Sequence, residues 1–145
     1  MRKINLIPMA GEGKRFLDER YIMPKPLIEI NGIPMFVHAA KALPKADLFI
    51  FICLKSHVIK FKIDKVIKSF FSKSKIIILE KTTNGQAATC LKAERLLKKD
   101  DDLWIDGAHN QNGFGVIADW VEEQIFNDEK SQIIKRNYLI IGFTK

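Results

Sequence analysis

Short apolar runs recur along this chain with helical patterns between them, and that alternation constrains the fold more than any other feature. The runs fall at residues 4–9, 48–54, 76–79, 103–105 and 138–143. The second, LFIFICL, is apolar throughout, as expected of a strand covered on both faces. Residues 35–43 place Met35, Phe36, Ala39, Ala40 and Leu43 on one helical face, with Pro34 in the first turn and Pro44 as the stop. Residues 64–71 turn Val66, Ile67, Phe70 and Phe71 inward and Lys65 and Lys68 outward. Further helical patterns cover residues 86–99, through Ala87, Leu91, Ala93, Leu96 and Leu97, and residues 114–126, through Val116, Ile117, Trp120, Val121 and Ile125. Residues 27–30 read as a short extended segment that ends at the turn Asn31-Gly32.

Strands alternating with helices require right-handed crossovers. They predict an α/β fold: a three-layer, Rossmann-like arrangement of a mainly parallel sheet with helices on both faces. The chain of 145 residues suits one compact domain, and its 47% hydrophobic content supports a core. No apolar stretch of about 18 residues is present, so no membrane span is expected. Met-Arg-Lys leads directly into a strand-like run, without the pattern of a secretory signal. Cys53 and Cys90 sit in apolar surroundings and read as buried thiols of a reduced, cytoplasmic protein rather than as a disulfide.

Charge is unevenly placed. Residues 1–102 carry 20 basic and 11 acidic groups, whereas residues 103–145 carry 4 and 6. A basic front portion suits nucleotides, sugar phosphates or nucleic acid. Single-strand binding needs aromatics interleaved with the charge. Phe49, Phe51, Phe61, Phe70 and Phe71 lie instead in apolar-periodic runs, and the lysines between residues 55 and 75 also fit solvated helix faces. Nucleic acid is therefore the weaker expectation.

The first apolar run empties into Ala10-Gly11-Glu12-Gly13-Lys14-Arg15, and Pro24-Lys25-Pro26-Leu27 follows about ten residues later. Glycine backbone and nearby cations can surround an anion with N–H donors and positive charge. The spacing is not that of a P-loop, and Phe16 occupies the third glycine position of a dinucleotide fingerprint. A phosphate-binding loop and a tight strand-to-helix turn that needs glycine for its backbone both fit these residues. Ligands of such sheets bind beyond the carboxyl ends of the strands. The loops at Gly11, Asn84 and Gly107 are therefore expected to fall together.

Three pieces in register carry a resemblance: the loop Ala10 to Phe16, then Pro24-Lys25-Pro26-Leu27-Ile28, then Asn31-Gly32-Ile33-Pro34-Met35. Together with Thr83-Asn84-Gly85-Gln86-Ala87-Ala88-Thr89 they resemble the sugar-phosphate nucleotidylyltransferase family over roughly residues 3–102. That resemblance implies nucleotide binding by Ala10, Gly11, Glu12, Gly13, Lys14 and Arg15, with Arg15 and Lys25 as the catalytic cations. It also implies that Gly85 and Gln86 approach the base and ribose. On the residues alone, Lys25 could also be a solvated loop lysine and Arg15 a surface ion-pair partner. The family further implies Mg²⁺, held by an acidic residue just after the following strand. Here that position falls on His109, with Asp106 three residues earlier as the candidate ligand.

Asp106-Gly107-Ala108-His109-Asn110, then Gly113, Trp120 and the run at 138–143, resemble something else. They look like the start of the C-terminal domain of folylpolyglutamate/dihydrofolate synthases, in the Mur-ligase-like superfamily, over roughly residues 103–145. That resemblance implies a second nucleotide contact through Asp106 and His109. The residues alone also allow Asp106 to begin a helical turn and His109 to be an ordinary polar loop residue. The expectation is a single α/β domain over 1–145, composite at 1–102 and 103–145. It would bind a nucleoside triphosphate and transfer a nucleotidyl group to a sugar phosphate or similar phosphorylated acceptor, as a truncated chain of low activity. The competing readings are a non-catalytic nucleotide- or phosphate-binding remnant and a fragment related to folylpolyglutamate synthase.

Overall fold

The computed structural model describes residues 1–13, 22–98 and 100–106. The expected helix at 114–126 and strand at 138–143 lie outside them. Strand β1 (Lys3–Met9) is central to a four-stranded sheet. After it come a short antiparallel pair, β2 (Glu29–Ile30) and β3 (Ile33–Pro34), and helix α1 (Met35–Ala42). Strand β4 (Leu48–Leu54) leads into helices α2 (Lys55–Phe61) and α3 (Ile63–Phe70), then β5 (Lys75–Leu79). Helix α4 (Gln86–Cys90) and β6 (Asp102–Ile105) complete the described elements. The sheet order is β5-β4-β1-β6 and every pairing in it is parallel, as the alternation of strands and helices requires.

Apolar side chains leave both faces of the sheet, which is why its strands read as continuous apolar runs. On one face Ile7, Met9, Phe51 and Cys53 pack with Phe36, Val37 and Ala40 of α1 and with Ile63 and Ile67 of α3. On the other, Ile4, Leu6, Ile50, Ile52 and Leu54 pack with Cys90 and Ala93. Burial of each such Ile, Leu or Phe stabilises the fold by about 1.5–3 kcal/mol. Phe36 and Phe51 are buried, and Phe49, Phe61 and Phe71 pack partly buried against the same core, as their apolar-periodic runs led us to expect. Phe51 lies edge-on to Phe36 at 5.7 Å between centroids, and Phe71 reaches both Phe49 and Phe51, at 4.8 and 5.2 Å.

Several local expectations need correction. The run at 76–79 is less buried than its four aliphatics suggest: among the described residues β5 lies at the edge of the sheet, Ile76, Ile77 and Leu79 are only partly buried, and Ile78 is 49% exposed. Phe70 is 45% exposed, and Ile63 and Ile67 are the buried residues of α3. Pro34 precedes α1 as its capping residue with extended ψ, and Val37 is buried in place of Leu43, which is half-buried. The helical pattern over 86–99 is realised as a single turn and a half of α-helix, followed by a tighter 3-10 segment over Leu91–Leu96. Helix α2 was not foreshadowed because its buried residue is His57, which interrupts the apolar period. No helix among the described residues is long and apolar enough to cross a membrane.

Candidate functional site

The chain runs from β1 outward to β4 and β5, then returns across the sheet to β6 on the other side of β1. Loops leaving neighbouring strands on either side of such a reversal part from each other and open a crevice at the carboxyl edge. Ala10, Gly11, Glu12 and Gly13 leave β1 there, and Asp106 leaves β6 with its N–H bonded to the Leu6 carbonyl at 3.0 Å. Both border a cleft of about 740 Å³. That size is in the range of small-molecule sites.

The segment after the glycine loop shows how a lysine is aimed at this cleft. Pro24 and Leu27 are buried, and the 3-10 turn Lys25–Leu27 closes with Leu27 N–H bonded to Pro24 O at 2.8 Å. Leu27 belongs to the core under the sheet, so the proline-leucine frame points inward and Lys25 outward. The antiparallel turn that follows is tight. Asn31 and Gly32 both have positive φ, 52° and 75°, the geometry of a two-residue hairpin turn. It returns the chain so that Met35 N–H bonds Ile28 O at 2.8 Å, and α1 then presents Met35, Phe36 and Ala39 as an apolar wall of the cleft.

Opposite stand Thr82, Thr83, Gly85, Gln86 and Thr89. Gly85 adopts φ 102° and ψ 172° immediately before α4, a conformation open to glycine. Of the residues singled out in the sequence, Ala10, Gly11, Glu12, Gly13, Lys25, Gly85, Gln86 and Asp106 all border this one cleft. Lys14, Arg15 and His109 lie outside the described residues. Thr83 and Thr89 were not singled out individually, and the apolar wall from α1 was not anticipated. The sequence trace of the threonine pair is that the two residues bound the segment 83–89 that carries part of the resemblance.

Lys25, Glu12 and Asp106 give the cleft both signs of charge. The buried His57 has its pKa lowered by burial, while the Glu12 carboxylate pulls it the other way. Cys90 is pushed up to about 12, by burial first and the Asp106 charge second. Among the described residues no group of three or more His, Cys, Asp and Glu could hold a metal ion. Mg²⁺ commonly takes one or two carboxylates and completes its shell with water and substrate phosphates, so the oxygen donor of Asp106 fits that mode rather than an all-protein cage.

No family model matches the chain. Over 99 residues it is 30% identical to a mannose-1-phosphate guanyltransferase of Debaryomyces hansenii, an alignment that takes in 66% of this chain and 27% of that protein. The fold is similar to the inositol-1-phosphate CTP transferase from T. maritima, with a TM-score of 0.56 and 16% identity over 72% of this chain and 43% of the other. It is similar also to the nucleoside-diphosphate-sugar pyrophosphorylase from Vibrio cholerae RC9, with a TM-score of 0.52 and 26% identity over 70% and 46%. The chain thus spans about a quarter of the curated relative and under half of each structural neighbour. None of the three is a ligase, and the resemblance expected for residues 103–145 finds no support among them. The chain has a nucleotidyltransferase-like α/β fold, with weak sequence similarity to a sugar-phosphate nucleotidyltransferase.

Proposed function

We propose that this chain binds a nucleoside triphosphate in the cleft and transfers its nucleotidyl group to a sugar phosphate or similar phosphorylated acceptor. The observation that supports this most is convergence. The glycine loop, Lys25, the Gly85 turn and Asp106 come from four separate parts of the sequence and border one cleft at the strand reversal. Its relatives' names point to the same chemistry.

In this reading the phosphates lie against the 11–13 backbone and Lys25, with Arg15 completing the cationic side. The base and ribose lie toward Gly85 and Gln86. An acceptor phosphate oxygen attacks the α-phosphorus in line, the bond from that phosphorus to the bridging oxygen breaks, and pyrophosphate leaves with the electron pair. Lys25 offsets the charge that builds on the phosphates as this happens. Magnesium, held by Asp106 and the triphosphate itself, would supply further charge neutralisation. Residues 1–145 act as one α/β domain in this proposal. The stretches 1–102 and 103–145 meet inside β6, which pairs with β1. The setting is the cytoplasm.

The test is pyrophosphate release across the four common nucleoside triphosphates, a panel of sugar 1-phosphates and Mg²⁺, with triphosphate binding measured in parallel. Release that depends on Lys25 is the expected result. Lys25→Ala and Arg15→Ala should each weaken triphosphate binding by about 10- to 100-fold, the range for a lost bond to a charged group. Tight binding without release would replace transfer by simple nucleotide binding. Unchanged binding in both variants would remove the loop assignment altogether.

A further inference from the structure

Thr83 and Thr89 close a set of hydrogen bonds around the Gly85 turn. The Thr83 hydroxyl donates to the Gly85 carbonyl at 2.9 Å, and the two threonine oxygens are 2.6 Å apart. The Thr89 hydroxyl lies 3.2 Å from the same carbonyl, and the Thr89 N–H bonds it at 3.2 Å. Gly85 N–H in turn bonds the Thr83 carbonyl at 2.8 Å.

Two hydroxyls have two protons to give. The arrangement that keeps both shorter contacts sends the Thr83 proton to Gly85 O and the Thr89 proton to Thr83 Oγ1. In the other arrangement Thr83 donates to Thr89 and Thr89 to the carbonyl. Either way both protons are spent inside the triangle, and the amide and carbonyl of Gly85 are both engaged within the loop. Thr89 is only 5% exposed, so its side of the network is shielded from competing water, while the Thr83 contact to the Gly85 carbonyl lies at the surface.

Gly85 has no side chain with which to hold φ 102°, and glycine ranges widely when nothing fixes it. We propose that Thr83 and Thr89 are positioning residues that preset the Gly85 turn, and with it the direction in which Gln86 faces a nucleotide in the cleft. This rests on the triphosphate-binding reading above. The loop is ordered before the ligand arrives, so the ordering cost is not charged against affinity. Neither hydroxyl has a proton left for the ligand, so their contribution passes through the backbone of Gly85 and the side chain that follows it.

The experiment is calorimetric titration of the four nucleoside triphosphates with Mg²⁺ into wild type, Thr83→Val, Thr89→Val, the double variant and Thr89→Ser, each with its thermal midpoint. Thr83 is less buried than Thr89 and supplies a variant that folds if Thr89→Val does not. Each single valine variant should weaken binding about tenfold, and the double variant about as much as one single, since the two act as a unit. Thr89→Ser should bind within about twofold of wild type, because it keeps the donor. Valine variants that bind as wild type, with only the thermal midpoint moved, overturn the proposal. So does a serine variant as weak as the valine one. If wild type binds no triphosphate, the underlying reading falls and this proposal falls with it. If Lys25→Ala loses binding while the threonine variants keep it, only the positioning role falls.

Discussion

Arg2 grips Asp101 through two nitrogens, Nε to Oδ1 at 2.9 Å and Nη2 to Oδ2 at 2.5 Å, across 99 residues of sequence. The same guanidinium reaches the Leu96 carbonyl at 3.1 Å, and the Lys98 N–H donates to Asp101 Oδ2 at 2.6 Å. Asp102 N–H bonds Arg2 O at 2.9 Å beside them. The pair therefore fastens the start of β1 to the turn that launches β6, at the edge of the sheet opposite the cleft. The join that brings Asp106 to the site is held from below by an ion pair.

That pair sets an acid limit on stability. Burial alone would push the Asp101 carboxyl up, but the bonds from Arg2 and the Lys98 N–H outweigh it and hold it below its ordinary value of 3.8. A carboxyl lowered on folding stabilises the fold fully above its unfolded value, and that contribution disappears as pH falls through the folded one. Urea midpoints should therefore fall between about pH 5 and pH 2, and fall less steeply in Asp101→Asn, which has already lost the term. Parallel curves for wild type and variant would contradict the assignment.

Lys62, at φ 54°, joins α2 to α3 with its N–H bonded to Val58 O at 3.1 Å. A side chain in this left-handed region costs about 1 kcal/mol relative to glycine, part of which glycine returns through its freer unfolded chain. Lys62→Gly should stabilise the protein by about 0.5 kcal/mol in chemical denaturation. Its triphosphate affinity should be that of wild type, because Lys62 does not border the cleft.

Cys53 and Cys90 are free and buried on opposite faces of the sheet. Burial pushes each thiol up to about 12, with smaller contributions from Asp64 at Cys53 and Asp106 at Cys90. At pH 8 almost no thiolate is present in the folded state, and the thiolate is the reactive form. Ellman's reagent should label neither thiol in native protein and both through the unfolding transition. Rapid native labelling of one would mean that its face of the sheet opens locally.

How far the residues announced this structure depends on whether a signal was local. The run at 48–54 read as a doubly covered strand and the glycines after the first run as a loop at its carboxyl end, so sheet and cleft followed together. The frame around Lys25 was less legible, because residues 27–30 read as one extended segment whereas Lys25–Leu27 form a 3-10 turn and only Glu29–Ile30 are extended strand. Edge and centre were not legible. Ile76 to Leu79 read like a buried strand, because four aliphatics in a row say nothing about how many neighbours a strand has. The threonine pair escaped for a related reason. Thr83 and Thr89 meet only because Gly85 turns the chain between them, and no period in the sequence records a turn.

Gly11 and Gly13 look interchangeable in the sequence and should part company on substitution. Gly13 has φ 64°, and a Cβ built there would lie 3.8 Å from Lys25 Cβ, an ordinary contact. The cost of Gly13→Ala is therefore backbone strain, about 1 kcal/mol of stability, with no clash to add to it. A Cβ at Gly11 meets nothing within 4 Å and its φ is not positive, so Gly11→Ala should stay within about 0.5 kcal/mol of wild type. If the 11–13 backbone is where phosphates lie, the added methyl at Gly11 stands between ligand and amides and should weaken triphosphate binding about tenfold at nearly unchanged stability. Denaturation and titration on the same two proteins separate the effects. Gly11→Ala with wild-type affinity would move the phosphates off this loop, whatever happens at Gly13.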